Sequence, residues 1–131
     1  MRRSLSVLPY AAACFAALLW LSTGVPGAQA QDAQAGANVF NRCSACHQVG
    51  PGASNAVGPH LNGLLGRPVA SVSGYNYSDA LAARNGQAWN SQLVADYIAD
   101  PARFIGERSA MPAQRLRPEQ VANLIAFLES Q

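Results

Sequence analysis

Two cysteines and a histidine stand within five residues of a chain that has little of either. The segment Cys43-Ser44-Ala45-Cys46-His47 holds two of the three cysteines and one of the two histidines in 131 residues. Four chemistries use such a cluster. A disulfide between Cys43 and Cys46 would close a very small loop and constrain little of the unfolded chain. A thioredoxin-type dithiol sits beside a strand-helix unit, and no strand pattern flanks this one. A structural zinc site needs four nitrogen or sulfur ligands; Cys43, Cys46 and His47 supply three, and His60 alone is left as a fourth. The remaining chemistry is covalent haem attachment, for which C-x-x-C-H is the signature. Two thiols on one helical turn can each add to one vinyl group of a single porphyrin edge, and the next residue then turns its imidazole toward the iron.

A haem that carries electrons has both axial positions filled by the protein, and a thioether opposite the imidazole favours the ferrous state. The chain contains two methionines, and Met1 belongs to the leader described below. Met111, in Ser109-Ala110-Met111-Pro112, is therefore the expected sixth ligand, on an irregular segment that can wrap the distal side while Pro112 stiffens the approach. His60 is the rival, giving iron two histidines.

The elements that must position these residues are helical. Asp32 caps a helix expected over 33–43, with Val39 and Phe40 on its apolar face and Gly36 one turn before Phe40. Residues 48–73 are rich in Gly and Pro and lack periodicity. A loop of that length needs something to organise it, and a flat apolar disc would serve. Ser78 caps a short helix from Asp79 to about Arg84. Asn90 caps Ser91–Ala99, where Leu93, Val94, Tyr97 and Ile98 recur at helical spacing; Pro101 is read as its stop, and 102–116 as irregular. Pro118 opens the last helix, whose inner stripe is Val121, Leu124, Ile125 and Leu128, with Phe127 alongside. There are no repeats and no hairpin signal. The expected class is all-α with long loops.

The first thirty residues read as an export leader. Arg2 and Arg3 precede an apolar run over 7–25, and Ala28-Gln29-Ala30 offers small residues at the positions a signal peptidase reads. Cleavage after Ala30 leaves a single domain, 31–131. An uncleaved leader would instead be a membrane anchor, at the short limit of a bilayer span; Cys14 lies within it and is given no role. The formal charge of +2 belongs to Arg2 and Arg3. The rest balances seven arginines against seven carboxylates, with no lysine. No basic patch of the kind phosphate backbones select is present, so nucleic acid is excluded as a partner.

The motifs Gly58–Arg67 (GPHLNGLLGR), Gly74–Leu81 (GYNYSDAL), Trp89, the helix end Tyr97–Pro101 and Leu124–Leu128 (LIAFL), in this order around Cys43-x-x-Cys46-His47, resemble class I cytochromes c of the small soluble type over nearly all of 33–128. The resemblance implies that fold, with the N- and C-terminal helices crossing and short helices and long loops wrapped around one covalent haem c. It implies thioether bonds at Cys43 and Cys46, His47 as proximal ligand with the Pro59 carbonyl accepting its other N–H, and Met111 opposite. It further implies that Tyr77 and Trp89 hydrogen-bond a haem propionate with Arg67 nearby, that Tyr97 lies near the methionine sulfur, and that Gly36 and Phe40 pack on Leu124 and Phe127. The Pro101–Met111 segment is about one residue longer than in mitochondrial members, whose lysine-rich docking rim this chain lacks.

The function this implies is one-electron carriage between Fe(II) and Fe(III); with the export leader, the expectation is a monomeric periplasmic protein of a bacterial respiratory, photosynthetic or dehydrogenase-coupled chain. It would not be an enzyme and would take no small-molecule substrate. Partners would be transient: a quinol–cytochrome c reductase-type donor, and an oxidase, reaction centre or dehydrogenase. With a neutral protein charge, long-range steering toward acidic partners is expected to be weak. The alternatives are a membrane-tethered haem subunit, or a haem sensor or enzyme with an open distal site.

Overall fold

Asp32 starts the first element. Its carboxylate accepts hydrogen bonds from the N–H groups of Gln34 (2.8 Å) and Ala35 (3.1 Å), which no intrahelical carbonyl could serve. In the computed structural model, which describes residues 31–131, this cap opens α1 (Ala33–Phe40). The leader, with its proposed cleavage point after Ala30, Met1 and Cys14, lies outside the described residues. α1 ends three residues earlier than the sequence reading, at Phe40. The chain keeps turning to Cys46, but three-residue closures (Cys43 N–H to Phe40 C=O at 2.7 Å, Cys46 N–H to Cys43 C=O at 3.0 Å) now share their carbonyls with four-residue bonds (Ser44 N–H to Phe40 C=O at 3.0 Å), the mixed pattern of a helix end that tightens.

Four further helices follow: α2 (Asp79–Ala82), α3 (Ser91–Ala99), α4 (Pro101–Ile105) and α5 (Pro118–Glu129). Ser78 Oγ caps α2 and Asn90 Oδ1 caps α3 (2.9 Å to Leu93 N–H), as expected. α2 is shorter than its expected span to Arg84. α3 ends at Ala99, as the reading of Pro101 as its stop expects, but α4 corrects the reading of 102–116 as irregular. Asp100 leaves the helical region and caps a new helix through its side chain, 3.0 Å from Arg103 N–H, and Pro101 takes a first-turn position where its missing N–H costs nothing. α5 starts at Pro118 as expected, and Gln120 Oε1 reaches back to Arg117 N–H at 3.0 Å.

α1 and α5 cross and make the principal helix–helix contact. Phe40 packs on Phe127 with ring centroids 5.3 Å apart. The backbones approach so closely that a Cβ added to Gly36 would lie 2.0 Å from the Asn123 carbonyl oxygen and 2.7 Å from Phe127 Cβ. Asn123 Oδ1 also accepts the Asp32 N–H at 2.9 Å, tying the start of α1 to α5.

Residues 48–73 contain no helix. They are held by side chains and isolated backbone bonds instead. The Asn62 amide pairs with both backbone groups of Gly50 (2.7 and 2.9 Å), and Leu61 N–H donates to Gln48 C=O at 2.9 Å. A lone bridge joins Pro68 to Ala88, flanked by Val69 N–H to Gln87 C=O (2.8 Å) and Trp89 N–H to Arg67 C=O (2.9 Å). No strand forms among the described residues, and the all-α expectation holds.

The Gly36 contact generates a prediction. Because the obstacle is backbone, Gly36→Ala should destabilise the protein by about 1–3 kcal/mol. Gly86→Ala, where an added Cβ meets nothing, should stay within about 0.5 kcal/mol. Denaturant unfolding of the two variants measures both.

Candidate functional site

Cys43, Cys46 and His47 share one turn. His47 N–H donates to Cys43 C=O at 2.9 Å, one bond after the Cys46 closure on the same carbonyl. The two cysteines are not joined in a disulfide, and both are half-buried. Burial pushes the Cys43 thiol above its ordinary range; the Arg42 charge lowers it in part and Cys46 raises it. These residues line a cavity of about 290 Å³. Its walls also include Phe40, Leu64, Leu81, Val94, Leu124 and Leu128, all from the buried core.

The histidine is set by two neighbouring residues of the 48–73 loop. Its Nδ1 stands 2.7 Å from the Pro59 carbonyl. A carbonyl can only accept, so Nδ1 carries the proton and Nε2 keeps the lone pair that a metal would take. Gly58 donates its N–H to the Cys46 carbonyl at 2.8 Å, and a Cβ there would lie 2.3 Å from His47 Cε1. No other residue type could occupy position 58 with the imidazole where it is. The sequence motif contained Gly58, but its reason is visible only in three dimensions.

Met111 lines the same cavity from another segment, while His60 is not among the lining residues. The His60 backbone N–H donates to Asn55 Oδ1 at 3.2 Å, and its Nδ1 is buried without a partner. The Met111 N–H donates to Ser109 Oγ at 3.1 Å. Ser109 and Tyr97 line the same cavity; burial pushes the Tyr97 phenol above its ordinary value, and the nearby Ser109 hydroxyl lowers it in part. Ser109 was missed in the sequence; its signal is a hydroxyl two residues before the ligand candidate, the spacing of a side-chain turn.

Arg67, Tyr77, Trp89 and Tyr97 also line the cavity. Arg67 Nη1 donates to Asn62 C=O (2.7 Å) and Nη2 to His60 C=O (3.3 Å). Its Nε is buried with no partner, and burial makes the charged form harder to keep. The Tyr77 hydroxyl accepts the Val72 N–H at 3.3 Å, leaving its own proton free to donate. A buried donor left unsatisfied is costly, and an anionic group in this cavity would satisfy both. Trp89 and Tyr97 pack with ring centroids 5.4 Å apart. An apolar slot with two thiols, an imidazole with free Nε2, a thioether and unpaired donors is the donor set of a covalent haem with its propionates. The residues present fit that group.

Residues 33–131 match the family described as cytochrome c. The chain belongs to the cytochrome c family. It is 40% identical over 112 residues to cytochrome c2 of Blastochloris viridis, covering 86% of this chain and 87% of that protein. It is 41% identical over 99 residues to cytochrome c2 of Agrobacterium tumefaciens, covering 74% and 89%. The solved structure of cytochrome c2 from Rhodospirillum centenum superposes with a TM-score of 0.69 at 30% identity, over 76% of this chain and 97% of that one. The cytochrome c fold, one covalently attached haem c and an electron-carrier function follow from this membership, and the open-site sensor or enzyme is not favoured.

The buried phenols predict a pH dependence. Burial holds Tyr77 and Tyr97 above the ordinary phenol value, and a bound haem removes further water from the cavity they line. A raised folded-state value means that the stabilising contribution is intact below the unfolded value of about 10 and is lost as pH rises through the folded value. Tyr97→Phe should therefore lose less stability than the parent between pH ~10 and ~12, read from unfolding midpoints at each pH.

Proposed function

We propose that this member of the family is a periplasmic one-electron carrier in which Cys43 and Cys46 bear the haem through thioether bonds and His47 and Met111 fill the axial positions. One observation carries this reading: a single cavity is lined by both thiols, the imidazole and the thioether, and His60 stands outside it. The bound haem supplies the Fe(II)/Fe(III) couple.

The protein's own residues do the rest. Pro59 orients His47 and fixes which ring nitrogen faces the iron, and Gly58 leaves room for the ring. Core side chains keep water away, which favours the less charged iron state. Arg67 and Tyr77 supply donors for the carboxylates, and Trp89 walls the same cavity. Because both axial groups are held by the fold, little has to move when the charge changes.

The leader supports export, with removal after Ala30. No helix among the described residues is long and apolar enough to cross a membrane. For partners, the charged residues lining the cavity are Arg42, Arg67 and Arg108, with no carboxylate. Arg42 and Arg108 are exposed, so a weakly positive rim survives although the seven arginines of 31–131 are balanced by seven carboxylates. That suits a brief encounter with an acidic face of a redox protein, through the small interfaces such transfers use.

Met111→Ala tests the axial assignment. The ferric parent should show the far-red charge-transfer absorption of an iron–sulfur bond, and the variant should lack it while keeping its covalent haem. A parent without that absorption sinks Met111 as ligand.

A further inference from the structure

Residues 107–113 run from the end of α4 past Met111. Among the described residues, none of the backbone groups of this seven-residue stretch bonds to backbone elsewhere. The segment is therefore placed by its two ends and by the side chains it turns into the cavity wall. At the far end, Gln114 N–H is anchored on Ile98 C=O at 2.6 Å. The near end is α4, five residues long, too short to hold itself as a helix.

What holds the near end is Arg84, twenty residues earlier. Its Nη2 donates to the Phe104 carbonyl, one of the C-terminal carbonyls a helix leaves unserved. Its guanidinium carbon lies 4.3 Å from the Phe104 ring centroid. A cation there also suits the negative end of the helix. Arg84 has no carboxylate partner among the described residues, so an ion pair does not explain its position. Phe104 transmits the constraint. Its ring lies 19° from the plane of Trp89 at 6.0 Å and packs edge-on against Tyr97 at 5.2 Å. Tyr97 lines the same cavity as Ser109 and Met111, and Ser109 Oγ holds the Met111 N–H.

We propose that Arg84 is a positioning residue for Met111: by clamping the end of α4 through Phe104 it fixes where the 107–113 segment starts, and so keeps the thioether on iron. This rests on Met111 being the axial ligand. Without the clamp the last turn of α4 loosens, and the sulfur yields more readily to an external ligand.

The test is imidazole titration of the ferric holoprotein, following loss of the far-red iron–sulfur absorption. Arg84→Gln should bind imidazole about three- to tenfold more tightly than the parent, the loss expected for one hydrogen bond and one cation–π contact. Arg84→Lys keeps the charge but cannot both donate to the carbonyl and lie flat on the ring, and should fall between the two. Arg103→Gln removes an exposed charge from the same helix, and Gly36→Ala destabilises without touching α4; both should match the parent within about twofold. If Arg84→Gln does not fold, Arg84→Lys and Phe104→Leu carry the test, and each should bind imidazole more tightly than the parent. Parent-like imidazole affinity in the folded Arg84 variants overturns the proposal. A parent with no far-red absorption overturns the Met111 assignment instead.

Discussion

The core of this protein is the wall of a cavity. Ten buried side chains form its central cluster, and seven of them (Phe40, Leu64, Leu81, Trp89, Val94, Leu124 and Leu128) face the space between Cys46, His47 and Met111. Apolar atoms with nothing against them forfeit contact energy outright. A chain of about a hundred described residues has little other core to compensate with. The requirement that a flat, largely apolar group fill that space, fixed to one short turn by two sulfurs, is the constraint from which the remaining architecture follows.

It explains why so much irregular chain is tolerated. The 48–73 segment has no helix, yet its path is pinned wherever it meets the attachment turn: Gly58 on the Cys46 carbonyl, Pro59 on the His47 ring, Leu61 on Gln48. The crossed pair α1 and α5 supplies the rigid frame behind that turn, because α1 runs directly into it. The distal side is built differently. Met111 rides on a stretch with no backbone bonds of its own to the rest of the fold, positioned through side chains of α3 and α4. On the proposed assignment, one axial ligand is thus set by backbone and the other by packing. The packed side is the one that amino-acid changes at a distance can loosen.

Much of this was legible in the residues. The C-x-x-C-H cluster, Met111 as the one methionine outside the expected leader, the caps Asp32, Ser78 and Asn90, and the apolar stripe of α5 are local signals with direct physical meaning. The family resemblance added the Pro59 contact and the placing of Arg67, Tyr77, Trp89 and Tyr97 around one cavity. What escaped was short or long-range. α4 spans five residues, too few for a period to show, and Pro101 closes one helix and opens the next with the same ring. The end of α1 shifted because its last turn mixes three-residue bonds with four-residue ones, which side-chain spacing does not report. Arg84 and Phe104 are twenty residues apart, and only the fold brings a guanidinium onto that ring. The leader over 1–30 is read from the sequence alone.

The claim on which all of this stands is that the filling group is haem joined covalently to Cys43 and Cys46. Acid–acetone extraction of the protein made in cells able to attach haem c, followed by the intact mass of what remains, tests it most directly. The account predicts that the colour stays with the protein, and that the mass exceeds that of the mature chain by one haem. Pigment that passes into the acetone, or a colourless product with the mass of the bare chain, would contradict it.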